Sequence, residues 1–493
     1  MARTTTTAVR GGLLVEPGRP PRREDVLLAR GAIEDVGRRV AAADLEVDAS
    51  GCVVLAGLVD AHTHSTQLLL PRLCDDVWFE EWMLVASYLA APVTPEEVYV
   101  AAAVTAGELL ASGGVALLDH GPRLGSETSA EAVEATVAAY VDVGVRASVA
   151  PLFADLYLWE RLPPELQPPA ELTAELPPQA PAEILLAQAA EAVSTWGGRH
   201  ERIGCLLGPT GLERCSDGLL AGVAALAAEL GVGIHTHLLD SPLQRLTFAE
   251  TQTARLAAAG LLGPSSSAAH GVWLDDSEIA LLAETGTTVV HCPVSNLRIG
   301  DGIAPLRRLR DAGVDVAVGV DGGNVDPSID LFGVLRTAAL VQRTAAPPEE
   351  WPTAEEVLGL CQHGGARALG LGPATIAAGA RADLVLLDAE RLSTRSEQVF
   401  DEVVYGAGRA AVRTVVVDGR VVFEDGRPTL PGWQELRRRA AAARDARVDA
   451  ALAAAERTEP FRAALREARA AAQRLVEADV AATASAAWAG SLA

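Results

Sequence analysis

Eight short apolar runs of β-type composition alternate with alanine-rich stretches of helical spacing through the middle of the chain. They are Cys52–Leu55, Val115–Leu118, Val145–Val149, Ile203–Leu207, Val232–His235, Ser267–His270, Thr288–His291 and Val314–Val318. A helix between two strands carries the chain back to the end where the first strand began, so the strands run parallel. Eight such units spread over roughly 300 residues predict a (β/α)8 barrel of the TIM type. Barrels of this kind gather their chemistry at the C-terminal strand ends, which makes the residues closing each run the ones that matter.

Those ends hold histidine. The chain has nine histidines in 493 residues. Two stand in Val59-Asp60-Ala61-His62-Thr63-His64, after the first run. Alternate residues on a strand share a face, so His62 and His64 form a two-toothed metal clamp. His235 and His237 repeat the pattern at the fifth run. His270 and His291 close the sixth and seventh, and Asp321 follows the eighth. His363 lies in a helical stretch and reads as structural, and His200 lies in a solvated turn.

The ends of the chain stand outside this rhythm. Residues 1–55 and 375–430 carry short β-type runs and predict one small β-sandwich built from both ends. Residues 56–374 form the barrel, and residues 431–493 form a helical tail. The tail is read as two helices broken near Pro460, a solvated or subunit-packing appendage. Proline-rich residues 163–182 read as a stiff insertion at the barrel mouth after strand three.

Composition removes several function classes. The net charge of −24 disfavours contact with a phosphate backbone, so no nucleic-acid partner is expected. No apolar stretch reaches the ~18 residues of a membrane span, so no membrane partner is expected either. Six scattered cysteines without a Cys-x-x-Cys pair suggest reduced thiols in a cytoplasmic protein, with a homo-oligomer as its expected state. All 41 basic residues are arginine. A lysine Schiff base, a lysine general base and a carboxylated-lysine bridge between two metals are therefore unavailable. Neither His-Glu-x-x-His nor Gly-x-Ser-x-Gly occurs, which excludes zincin-type proteases and nucleophile-elbow hydrolases.

The motifs at residues 59–64, His235-Thr236-His237-Leu238-Leu239-Asp240, Ala269-His270-Gly271, His291-Cys292-Pro293-Val294-Ser295-Asn296 and Gly319-Val320-Asp321-Gly322 resemble the amidohydrolase superfamily. The resemblance covers about residues 8–430 and is strongest to the cytosine-deaminase-like and triazine-hydrolase-like branch. That branch includes guanine, 8-oxoguanine and S-adenosylhomocysteine deaminases. It implies that His62, His64, His237 and Asp321 bind one divalent metal per chain, Zn2+ or Fe2+. Three imidazoles and a carboxylate suit either ion. It further implies that Asp321 takes a proton from water and that His270 orients the attack. Asp240 would move a proton to the substrate ring, in a place where the family pattern has Glu. Gln67, Trp78, His120 and His291 are the expected substrate-binding residues, with Asp119 a further candidate at the mouth. The expected function is hydrolytic deamination of a small amino-substituted N-heterocycle. Displacement of alkylamine or chloride, opening of a cyclic amidine, and a catalytically silent assembly subunit are the alternatives. The nucleoside-deaminating members carry a ribose-binding Glu where this chain has Ala91, which leans the reading towards a free base.

Overall fold

Apolar runs without polar alternation need cover on both faces, and the fold supplies it in two ways. The computed structural model describes residues 5–491, except residues 73–76, 89–92, 163, 165–166, 175, 249, 345 and 393–397; side chains beyond Val476 are also outside the description. Leu58–His64 is the first barrel strand. Gly114–Asp119, Arg146–Val149, Ile203–Cys205, His235–Leu238, Ser267–His270, Thr288–His291 and Val316–Val318 follow it. Neighbours pair in parallel. A bridge between Leu207 and Ile234 joins strands four and five. The short strand Asp321–Gly322 pairs with Thr63 and His64 and closes the ring. The barrel interior and its helices share one continuous apolar core.

The first expected strand was misplaced by one element. Cys52–Ala56 belongs to a seven-stranded sheet outside the barrel, between Leu384–Asp388 and Leu13–Glu16. Its side chains alternate as a strand requires. Val53 and Leu55 enter the barrel core, whereas Val54 and Ala56 enter a second core. Val385 and Leu387, against Leu384 and Leu386, do the same on the neighbouring strand. A four-stranded sheet from residues 7–48 covers the second core and completes a sandwich drawn from both chain ends. Because one sheet serves two cores, its strands read as unbroken apolar runs, which is how Cys52–Leu55 imitated a barrel strand.

The tail also differs from expectation. Trp433–Asp445 and Val448–Ser491 are helices, and Pro460 lies inside the second without ending it. Proline withholds one donor there, and side chains reach neighbouring carbonyls: Thr458 Oγ1 donates to Ala454 O at 2.8 Å and Arg462 to Ala455 O at 3.2 Å. The long helix is not solvated all round. Phe461, Leu465 and Ala472 pack with Leu84, Trp159 and Leu243 beside the barrel mouth.

Barrel and sandwich are also joined by buried charge. Arg146 at the start of the third barrel strand donates to Asp383 at 2.7 Å and to Asp418 at 3.1 Å. Breaking a buried pair typically costs ~3–5 kcal/mol, and less where a second cation remains, as Arg381 does at 3.1 Å from Asp383. Arg146→Met should therefore lower the thermal unfolding midpoint clearly, and Arg146→Lys less so; calorimetry on the two variants checks this.

Candidate active site

The barrel floor brings together seven imidazoles, and hydrogen bonds decide which way each ring nitrogen faces. His64 Nδ1 donates to the carbonyl of His120 at 2.7 Å, and His237 Nδ1 donates to the carbonyl of Thr210. A carbonyl only accepts, so both rings carry their hydrogen on Nδ1 and present a lone pair at Nε2. These two Nε2 atoms lie 3.1 Å apart. His62 Nδ1 meets His235 Nε2 at 2.8 Å, and His235 Nδ1 meets Ser267 Oγ at 2.7 Å. That relay turns the buried, unpartnered Nε2 of His62 to the same point. Asp321 Oδ1 sits 3.5 Å from His62 Nε2 and 3.6 Å from His64 Nε2.

Lone pairs at His64 and His237 Nε2, the unbonded Nε2 of His62 and a carboxylate oxygen confront one another, so the residues present fit the divalent metal that the sequence implies. Burial and neighbouring rings keep His62, His120, His235 and His237 neutral, as a ligand must be. Burial lowers His62 to about 4 and pushes His120, His235 and His237 well below the usual histidine range. Ser295 Oγ and the Gly322 N–H donate to the Asp321 carboxylate. Asp321 and His270 both adopt left-handed backbone, at φ 71° and 76°. Such strain at non-glycine residues collects at functional sites.

Beside this cluster lies a proton-carrying pair. Asp240 Oδ1 is 3.5 Å from His270 Nε2, and His270 Nδ1 donates to Asn296 Oδ1 at 2.8 Å. Burial, with help from surrounding carboxylates, raises Asp240 to about 7 despite the His270 charge. His270 is raised too: burial opposes its charge, but the Asp240 and Asp321 carboxylates outweigh it. The backbone turns through φ 51° at Leu239, immediately before Asp240. The short aspartate side chain thus stands against His270 from a sharply turned segment.

A cavity of 560 Å³ opens above these groups, bordered by Asp240, His270 and Asp321 and walled by Gln67, Trp82 and Arg214. Of the expected substrate-binding residues, Gln67 and His120 line it. His120 is nevertheless buried: Nε2 donates to Gly208 O at 3.1 Å, and its ring stacks on His237 with centroids 4.9 Å apart. Its free Nδ1 makes it a further nitrogen in reach of the ligand cluster. Trp78 and His291 do not line the cavity. The Trp78 ring is turned to the C-terminal helix, with the Arg469 guanidinium 4.8 Å from its centre, and Trp82, four residues on, takes the wall. His291 is buried beside His270 with neither ring nitrogen bonded. Asp119 is also buried, where it accepts from Ser65 and Tyr140 and so braces the second strand end. Ala91 lies outside the described residues.

Ser267, Ser295 and Asn296 stand in the runs and motifs of the sequence without a role of their own there, since single hydroxyls and amides carry no spacing signal. His235 was noticed, and its relay to His62 gives it a supporting role.

The amidohydrolase family model matches residues 53–422. The chain belongs to the amidohydrolase family. A 5'-deoxyadenosine deaminase of Methanosarcina mazei is 31% identical over 419 residues, covering 83% of this chain and 90% of that protein. A 5-methylthioadenosine/S-adenosylhomocysteine deaminase of Symbiobacterium thermophilum is 33% identical over 439 residues, covering 85% and 93%. Among solved structures, a zinc-bound adenosine deaminase of Xanthomonas campestris superposes with a TM-score of 0.78 at 26% identity, covering 89% of this chain and 98% of that one. A zinc complex of atrazine chlorohydrolase from Arthrobacter aurescens shares the fold, with a TM-score of 0.78 at 23% identity and coverage of 89% and 100%. This amidohydrolase is thus a hydrolase with a divalent-metal site, and the (β/α)8 barrel with its appended β-domain is the fold of its neighbours.

The His62–His235–Ser267 relay makes a prediction. Groups that orient a ligating histidine are typically worth ~10- to 100-fold in metal affinity. His235→Ala should weaken zinc binding by that factor in a competition titration, although His235 does not touch the ion; unchanged affinity would reduce it to packing.

Proposed function

We propose that the protein is a metal-dependent hydrolytic deaminase of amino-substituted N-heterocycles, and that its substrates are adenosine-type nucleosides. The observation that carries this reading is the Asp240–His270 pair beside the cation-fitted cluster, where a proton can be given to a ring nitrogen next to the carbon under attack. When bound by His62, His64, His237 and Asp321, a divalent cation supplies hydroxide near neutral pH by lowering the pKa of water from 15.7 to about 7. Asp321 accepts the proton of the attacking water. His270 orients that water and balances charge on the ring. Asp240 delivers its proton to the ring nitrogen, Asp321 passes the water's proton to the departing amine, and the added hydroxyl returns a proton to Asp240 as ring C–N cleavage releases ammonia and leaves a carbonyl.

A cavity of 560 Å³ exceeds what a bare purine fills, and the relatives named above act on nucleosides, which supports a sugar-bearing substrate over the free base that Ala91 suggested. Zinc or iron is the metal of this reading. A cytoplasmic location is supported by the described cysteines, all of which are unpaired and buried. Among the described residues, no helix is long and apolar enough to cross a membrane. A homo-oligomer is supported by exposed Leu452 and Leu475 on the long helix.

An ammonia-release assay tests the substrate: 5'-deoxyadenosine or adenosine should turn over faster than adenine or a triazine, and the reverse order would sink the nucleoside reading. Asp240→Asn should lower kcat by ~100- to 10,000-fold while leaving metal content intact. The proton donor also sets a pH dependence. Asp240 is raised to about 7, so it holds its proton below that pH and loses it above. In the wild type kcat should decline as pH rises through about 7, and Asp240→Asn should lack that limb.

A further inference from the structure

The long C-terminal helix lies beyond the stretch matched by the family model, which ends at residue 422. It nonetheless buries one arginine completely. Arg469 is 1% exposed, the largest side chain so enclosed. An arginine is rarely buried to this degree without partners, and its partners lead to the active site from two sides.

On one side, Arg469 donates to Glu80 Oε2 at 3.1 Å, and the other Glu80 oxygen accepts from Ser241 Oγ. Ser241 directly follows Asp240, and its side chain also starts the short helix Pro242–Arg245. On the other side, Arg469 donates to the carbonyl of Gly300 and lies 3.6 Å from Asp301. The Asp301 N–H bonds the carbonyl of Asn296 at 2.7 Å. Asn296 and Ser295 are the residues that hold His270 and Asp321. One guanidinium therefore spans the two segments that carry Asp240 and the supports of His270. Its fixed fork of donors makes such a span possible. It is also the cation that faces two buried carboxylates, Glu80 and Asp301.

We propose that Arg469 is a positioning residue for the Asp240–His270 pair, so that the C-terminal helix is a working part of the active site. This rests on the deaminase reading for the role of Asp240, but its geometry stands by itself. Misplacing a catalytic group by about an ångström costs ~100-fold in rate.

The test compares Arg469→Met, Arg469→Lys and Arg466→Met in the full chain loaded with zinc. Arg466 lies on the same helix and bonds Glu81 at 2.7 Å, so its loss loosens the helix without touching Ser241 or Gly300. Arg469→Met should lower kcat by ~30-fold or more, with KM within threefold and zinc content unchanged. Arg469→Lys should recover part of the loss, and Arg466→Met should keep kcat within threefold. Should Arg469→Met fail to fold, Ser241→Ala cuts only the link to Asp240 and should lower kcat by ~10-fold with the same signature. An unchanged kcat in the folded variant, an equal loss in Arg466→Met, or loss that follows zinc content would overturn the proposal. Hydrogen exchange of residues 238–245 and 293–301 reads positioning apart from turnover: faster exchange in Arg469→Met than in Arg466→Met supports it, and equal exchange overturns it. If the wild type converts no heterocycle, the deaminase reading fails and exchange alone decides the positioning role.

Discussion

The structure depends on a cluster of lone pairs that cannot be left facing one another. Backbone carbonyls of His120 and Thr210 take the Nδ1 hydrogens of His64 and His237, and the His235–Ser267 relay meets that of His62. The Nε2 atoms of His62 and His64 thereby face Asp321, and the Nε2 of His237 faces that of His64. This arrangement in a buried barrel end fits a cation. The left-handed backbone at His270 and Asp321 and the closure of the eighth strand onto Thr63 and His64 serve the same convergence. The absence of lysine leaves no carboxylated bridge, so the cluster is organised around one ion.

Much of this was legible before any coordinates. His62, His64, His237 and Asp321 announced themselves because strand periodicity fixes the face of a residue, and barrel topology fixes the end at which it stands. The same local logic erred at Cys52–Leu55. A strand buried on both faces looks alike in a barrel and in a sheet shared by two cores, and only long-range pairing with Leu384–Asp388 separates them. Adjacency to a motif does not say which way a side chain turns, and Trp78 faces Arg469 of the C-terminal helix. Ser295, Asn296 and the carbonyls that set the tautomers were illegible, because their roles exist only through contacts across the barrel.

The tail shows how far a bland sequence can mislead. Its alanine- and arginine-rich composition reads as a solvated appendage, and Pro460 reads as a break. Packing overrides both. Phe461, Leu465 and Ala472 seat the helix beside the barrel mouth, and arginine, the only cation this chain uses besides histidine, is the side chain whose planar donors can serve two segments at once. The Asp240–His270 pair is thereby linked to the C-terminal helix through Ser241 and Glu80 as well as to the barrel through Asn296.

We propose that one cation, held by His62, His64, His237 and Asp321, makes this chain a hydrolase. The most direct measurement strips the protein with chelator and titrates zinc back while following ammonia release from an adenosine-type nucleoside. Activity should rise linearly and stop at one equivalent per chain. A break at two equivalents, or full activity in the stripped protein, would contradict it.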